Sequence, residues 1–140
     1  MKKIIFLLVV TLSLNSFTSL EKPTFNIVGK WRGDDKKEIG YIVFQADGYA
    51  YFEDSKGNKM GGKDFVENGK KANMTYKFDD SEALMKIDII VKIVGEKHSN
   101  SLLGIAQKID DDSFKLCLGY ENVRPKTFKK EETIVFTRVQ

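Results

Sequence analysis

The chain has 140 residues, with 23 Lys and Arg against 20 Asp and Glu; setting aside the two charges of Lys2 and Lys3 reduces the formal +3 to +1. The remaining charges are interspersed, which gives a mixed solvated surface and removes the main electrostatic support for nucleic-acid binding. A single cysteine, Cys117, excludes an internal disulfide, and the length suits one domain held together by packing.

Lys2 and Lys3 precede an apolar run over residues 4–14, and polar or small residues follow at Asn15, Ser16, Thr18 and Ser19. That order is the one of a secretory signal. The run falls well short of the roughly 20 residues that a membrane-spanning helix needs. No cysteine follows it to be acylated. The expectation is a signal peptide over residues 1–20, cut between about residues 17 and 22, and an exported chain, periplasmic or secreted, that is not lipid-anchored.

Short strands separated by Gly, Asp and Asn turns follow from residue 21 to residue 140. The first two are expected at residues 26–32 and 39–45. Asp47-Gly48 supplies the positive φ of a tight hairpin that returns through residues 49–53. Lys56-Gly57-Asn58 reads as a turn, residues 63–66 as a short strand, and Asn68-Gly69 as another turn. Over residues 72–78, Ala72, Met74, Tyr76 and Phe78 share one face, with Asn73, Thr75 and Lys77 opposite. Over residues 84–94, Ile87, Ile89, Val91 and Ile93 oppose Lys86, Asp88 and Lys92, and the β-branched content favours a strand. Residues 80–85 have room for one short helical turn. Residues 102–109 form the next strand, and Asp110-Asp111-Asp112 turns the chain. Phe114, Leu116 and Leu118 then alternate with Lys115 and Cys117, and after a loop over residues 119–130 the last strand spans 133–139.

Eight or nine sequential strands with one apolar face each are best hidden by closing the sheet on itself. The fold class is therefore all-β, an antiparallel up-and-down barrel, with an open two-sheet sandwich as the less specific alternative.

Gly29-Lys30-Trp31 on the first strand resembles the Gly-x-Trp signature of lipocalins, and Arg138 lies on the last strand as the partnering arginine of that fold does. The resemblance implies that the Trp closes the base of the barrel with the Arg packed across its ring, a cation over a π-face. Leu116-Cys117-Leu118, Arg124-Pro125-Lys126-Thr127-Phe128 and Arg138, with Gly104-Ile105 one strand earlier, look like the tail of a family of small exported bacterial proteins with a lipocalin-like domain. That resemblance spans residues 28–138 in outline and is specific in the last third. It implies a fold and a structural signature of Gly29, Trp31, Cys117, Pro125 and Arg138, and it implies no reaction.

The candidate chemistry is sparse. His98, the only histidine, stands in a polar turn far in sequence from Cys117, which argues against a metal centre or a nucleophile pair. The three aspartates at 110–112 lack the alternating ligands of a calcium loop and suit a hairpin tip. Gly61-Gly62 lacks the Lys-Ser/Thr of a phosphate loop and reads as backbone freedom. Cys117 reads as a structural thiol. Arg124 either closes over an anionic ligand at the barrel mouth or ties the long loop down. Tyr41, Tyr49, Tyr51, Phe52, Tyr76, Phe78 and Phe114 either line a cavity or fill the barrel.

The expectation is a non-catalytic binding module without metal or cofactor, holding a small apolar or amphipathic ligand against Tyr41, Met74, Tyr76, Phe78, Ile89, Phe114, Leu116 and Arg124. The alternative is a filled barrel that acts as an interaction or inhibitor module on an envelope protein. In both cases the chain is expected to be a monomer that uses no nucleic acid.

Overall fold

The computed structural model describes residues 24–34 and 40–140. The expected signal segment, and Ile39 at the start of the second expected strand, lie outside these residues. The described residues form ten strands: β1 Gly29–Gly33, β2 Tyr41–Phe44, β3 Ala50–Glu53, β4 Lys59–Gly61, β5 Phe65–Glu67, β6 Lys70–Asp79, β7 Met85–Ile93, β8 Ser99–Asp110, β9 Ser113–Gly119 and β10 Thr133–Arg138. They make one antiparallel sheet in the order β4-β3-β2-β1-β10-β9-β8-β7-β6-β5. The sheet is nearly closed into a barrel, the architecture expected from the alternation, with ten strands in place of eight or nine.

The difference lies in how the barrel closes. Residues 59–67 run across the gap between the two sheet edges, pairing first with β3 through Phe52↔Met60 and then with β6 through Phe65↔Ala72. Two short strands, β4 and β5, therefore stand where a turn and a single strand were expected. The bend between them falls at Gly61 and Gly62, with φ of 119° and 82°. A Cβ on Gly61 would lie 2.7 Å from the Ala50 carbonyl oxygen and 2.8 Å from Met74 Sδ, so only glycine lets the two edges approach. The Gly62 carbonyl accepts from Met74 N at 2.8 Å and the Gly48 carbonyl from Tyr76 N at 3.0 Å, which completes the closure.

Period-2 alternation sends Ala72, Met74, Tyr76 and Phe78 of β6, and Ile87, Ile89, Val91 and Ile93 of β7, to the inside, as expected, and Met85 joins them. Residues 81–84 form bends and no helical turn, and β7 begins at Met85. The first strand starts at Gly29, three residues later than expected. The reason is local: the carbonyls of Asn26, Ile27 and Val28 accept from side chains of Arg138 and Trp31, not from a ladder.

The two ends of the barrel differ. At one end Trp31, Phe114 and Phe136 are fully buried, with Trp31 edge-on to Phe114 at 4.8 Å and Phe114 stacked on Phe136 at 5.5 Å. Phe25 caps this cluster, 5.7 Å from Trp31 and 5.8 Å from Phe114, its backbone N–H donating to Asp80 Oδ2 at 2.9 Å. Arg138 lies over the Trp31 ring, 4.1 Å from its centre, and donates to the carbonyls of Val28 at 3.0 Å and Asn26 at 2.8 Å. Gly29, with φ 136°, leaves room for that guanidinium, since a Cβ would stand 3.0 Å from Arg138 Nη1. The Trp and Arg arrangement expected at the base is present.

Candidate functional site

The packed core extends from this aromatic base through Ile42, Phe44, Ile87 and Ile89, and the interior opens beyond them. Two adjoining lobes open at the far end, with volumes of about 300 Å³ and about 400 Å³. Phe52 from β3, Met60 from β4 and Leu102 from β8 belong to both, so the lobes share one apolar wall. The first lobe is completed by Phe65, Met74, Val91 and Ile93, and the second by Leu118 and Tyr120. Polar groups stand at the rim: Glu67, Asn68, Asn100 and Ser101 on the first lobe, and Asp54, Asn58 and Lys59 on the second. An apolar concavity of this size with a few polar groups at its margin is the usual form of a small-molecule site.

The residues expected to bind ligand divide between filled and hollow parts. Met74 reaches the first lobe and is the only one of the eight that lines the cup. Ile89, Phe114 and Leu116 point inward but are fully packed in the base or waist. Phe78 meets the ring of Phe25 at 6.3 Å. Tyr76 packs edge-on against Phe44 at 4.8 Å and its hydroxyl donates to the Gln45 carbonyl at 2.9 Å, so it seals the closure. Burial, then the Asp47 charge, push its phenol above the ordinary value.

Two placements correct the expectation. Tyr41 lies on the outer face of β2, because Ile42 and Phe44 take the inward positions, and it carries Lys30 Nζ 4.3 Å from its ring centre. Arg124 lies outside the barrel wall. Its Nη1 donates to the Gly104 carbonyl at 2.7 Å and stands 2.8 Å from Asp88 Oδ1, a half-buried ion pair that fastens the loop to β7 and β8.

That loop explains Cys117. Ile105 and Cys117 are register partners on the outer face of β8 and β9, outside the principal core cluster, yet both are buried. Residues 120–132 cover them, with Phe128 under Lys115 Nζ at 4.2 Å and Pro125 so close to Gly119 that a Cβ there would overlap its ring. Desolvation is the largest influence on the Cys117 thiol, and the Glu132 charge adds to it, so its pKa is raised. At the base, Asp110 accepts from Asp112 N, Asp111 pairs with Lys108 at 2.7 Å and Asp112 with Arg138 at 3.1 Å, so the three aspartates serve the hairpin and its neighbours. His98 is exposed in the turn before β8.

Sequence reasoning missed Met60, Phe65, Leu102 and Tyr120 as cup residues. The available signal was Met60 and the pair Phe65-Val66, the apolar side chains in an otherwise polar and glycine-rich stretch over 54–71. Among the described residues no helix is long and apolar enough to cross a membrane. Comparison of the chain with family models, with curated proteins and with solved structures found no match.

Proposed function

We propose that this protein is an exported, non-catalytic binding module that seats the apolar part of a small amphipathic molecule in the two-lobed cup at the open end of its barrel. The supporting observation is the division of the interior: Trp31, Phe114 and Phe136 fill the base, whereas Phe52, Met60 and Leu102 face open volume. A barrel packed to the usual interior density through to its mouth would leave no such open volume. The leader-like order of residues 1–20 and the lipocalin-like signature at Gly29, Trp31 and Arg138 support the export and carrier parts of this reading. The alternative, a surface for an envelope protein, draws on exposed Val66, Tyr120 and Val123 near the same end.

Calorimetric titration with an uncharged apolar probe tests the proposal. One-to-one binding to the wild type is expected, with a rise in Tm by mass action. Leu102→Trp should abolish that binding at little cost in stability, since the ring enters open volume. Leu116→Trp should instead lose about 1–3 kcal/mol by overpacking the filled part. No saturable binding by the wild type would overturn the carrier reading and favour the interaction surface.

A further inference from the structure

One residue of the cup breaks the pattern of its strand. On β5, Phe65 packs against the core and Val66 is turned out, 67% exposed, so Glu67 shares the inward face with Phe65 and borders the first lobe. Glu67 is half-buried and lines this lobe with Met74, Val91, Ile93 and Leu102, and among the described residues no ion pair or hydrogen bond engages its carboxylate. A charged group from outside can therefore reach it, and the apolar lining beside it lowers the effective dielectric in which the two charges would meet.

The charges around it leave that role open. Lys70, the register partner of Glu67 across β5 and β6, holds Glu96 at 2.6 Å. The other polar groups of the lobe, Asn68, Asn100 and Ser101, are uncharged. In the neighbouring lobe Lys59 stands at the rim, its Nζ 5.0 Å from the centre of the Tyr51 ring. Asp54 is engaged by Asn58, whose side-chain N donates at 2.7 Å, and Glu53 by Lys30 at 3.2 Å. The cup thus presents apolar walls, neutral hydrogen-bonding groups and, among the described residues, two carboxylates without an ion-pair partner, Glu67 and Asp54, against the single unpaired ammonium of Lys59.

From this charge complementarity we infer that the ligand is a cationic amphiphile, an apolar body carrying an amine or quaternary ammonium group that sits against Glu67. The inference rests on the binding reading above and specifies its ligand class. A carboxylate-headed amphiphile such as a fatty acid would meet like charge at the same place, and Phe65 beside Glu67 offers a ring edge or face to an ammonium group.

A matched series of dodecyl compounds, the amine, the alcohol and the carboxylate, titrated below their micelle concentrations into wild type, Glu67→Gln and Glu67→Lys, tests it. Wild type is expected to bind the amine about tenfold more tightly than the alcohol and the alcohol more tightly than the carboxylate, in low salt. Glu67→Gln should erase the preference for the amine while keeping the alcohol affinity, and Glu67→Lys should shift the preference to the carboxylate. Near-ultraviolet circular dichroism of the buried Trp31 confirms that each variant is folded. Equal binding of all three compounds, unaltered in Glu67→Gln, would overturn the ligand class while leaving the carrier reading in place. If none of the three binds wild type, both readings fall together.

Discussion

Replacing Arg138 by alanine tests how the base of the barrel is held. The guanidinium covers the Trp31 ring at 4.1 Å, donates to the carbonyls of Asn26 and Val28, and reaches Asp112 Oδ1 at 3.1 Å and the Asp111 carbonyl at 3.3 Å, while its side chain is 21% exposed. The stacked cation contributes ~0.5–2 kcal/mol depending on its desolvation. The Asn26 and Val28 carbonyls regain water when the arginine is removed, so each hydrogen bond counts near the lower end of the usual ~0.5–1.5 kcal/mol. The Asp112 carboxylate is 59% exposed, and an ion pair so placed adds no more than ~1 kcal/mol. Together these place Arg138→Ala at about 2–3 kcal/mol, a fall in Tm of roughly 8–15 °C for a domain of this size. Arg138→Lys should recover less than half, since an ammonium group cannot stack and bridge two carbonyls at once. Denaturant unfolding of both variants, with Trp31 fluorescence as the probe, measures the effect. If both unfold within about 0.5 kcal/mol of wild type, Arg138 does not fasten residues 24–28 to the base and the reasoning fails.

Gly61→Ala should cost at least ~1–3 kcal/mol, because a Cβ at φ 119° meets the Ala50 carbonyl at 2.7 Å, and weaker protection of the Met74 amide in hydrogen exchange should accompany the loss. Cys117 should react slowly with thiol reagents in the native protein, its pKa being raised mainly by burial. Arg124→Ala should accelerate that reaction by freeing residues 120–132; an unaltered rate would mean that the Gly104 and Asp88 contacts do not hold the loop. Asp54 is held below its ordinary 3.8 by hydrogen bonds, first from the Asn58 side chain and then from the Asn58 backbone. Its contribution to the turn is therefore present above 3.8 and is lost as pH falls through the lower folded value, so the Asn58 amide signal should move only at acid pH, and Asp54→Asn should remove that titration.

Alternation alone identified the inward faces of β6, β7 and β9, and the Asp-Gly, Asn-Gly and Asp-Asp-Asp turns marked where the chain reverses, because both signals are local: side-chain direction repeats every two residues, and a positive φ needs particular residues at the turn. The pairing of Trp31 with Arg138 was legible through resemblance, and the structure places the two groups in contact.

Residues that face inward also stand at different heights in the barrel, and height is set by the register between distant strands, which no local pattern carries. Hence Phe114 and Leu116 were assigned to a ligand although they belong to the packed base and waist, while Leu102 and Leu118, from the same kind of alternation, rim the open cup. Tyr41 was likewise assigned to a ligand, and only the packing of Ile42 and Phe44 into the core turns it outward. The crossing of residues 59–67 between two edges depends on Gly61 meeting Ala50 and Met74, contacts formed only when the sheet has curled round. The place of Glu67 was hidden for the same reason: only closure of the barrel sets it in one lobe with apolar residues from β6, β7 and β8.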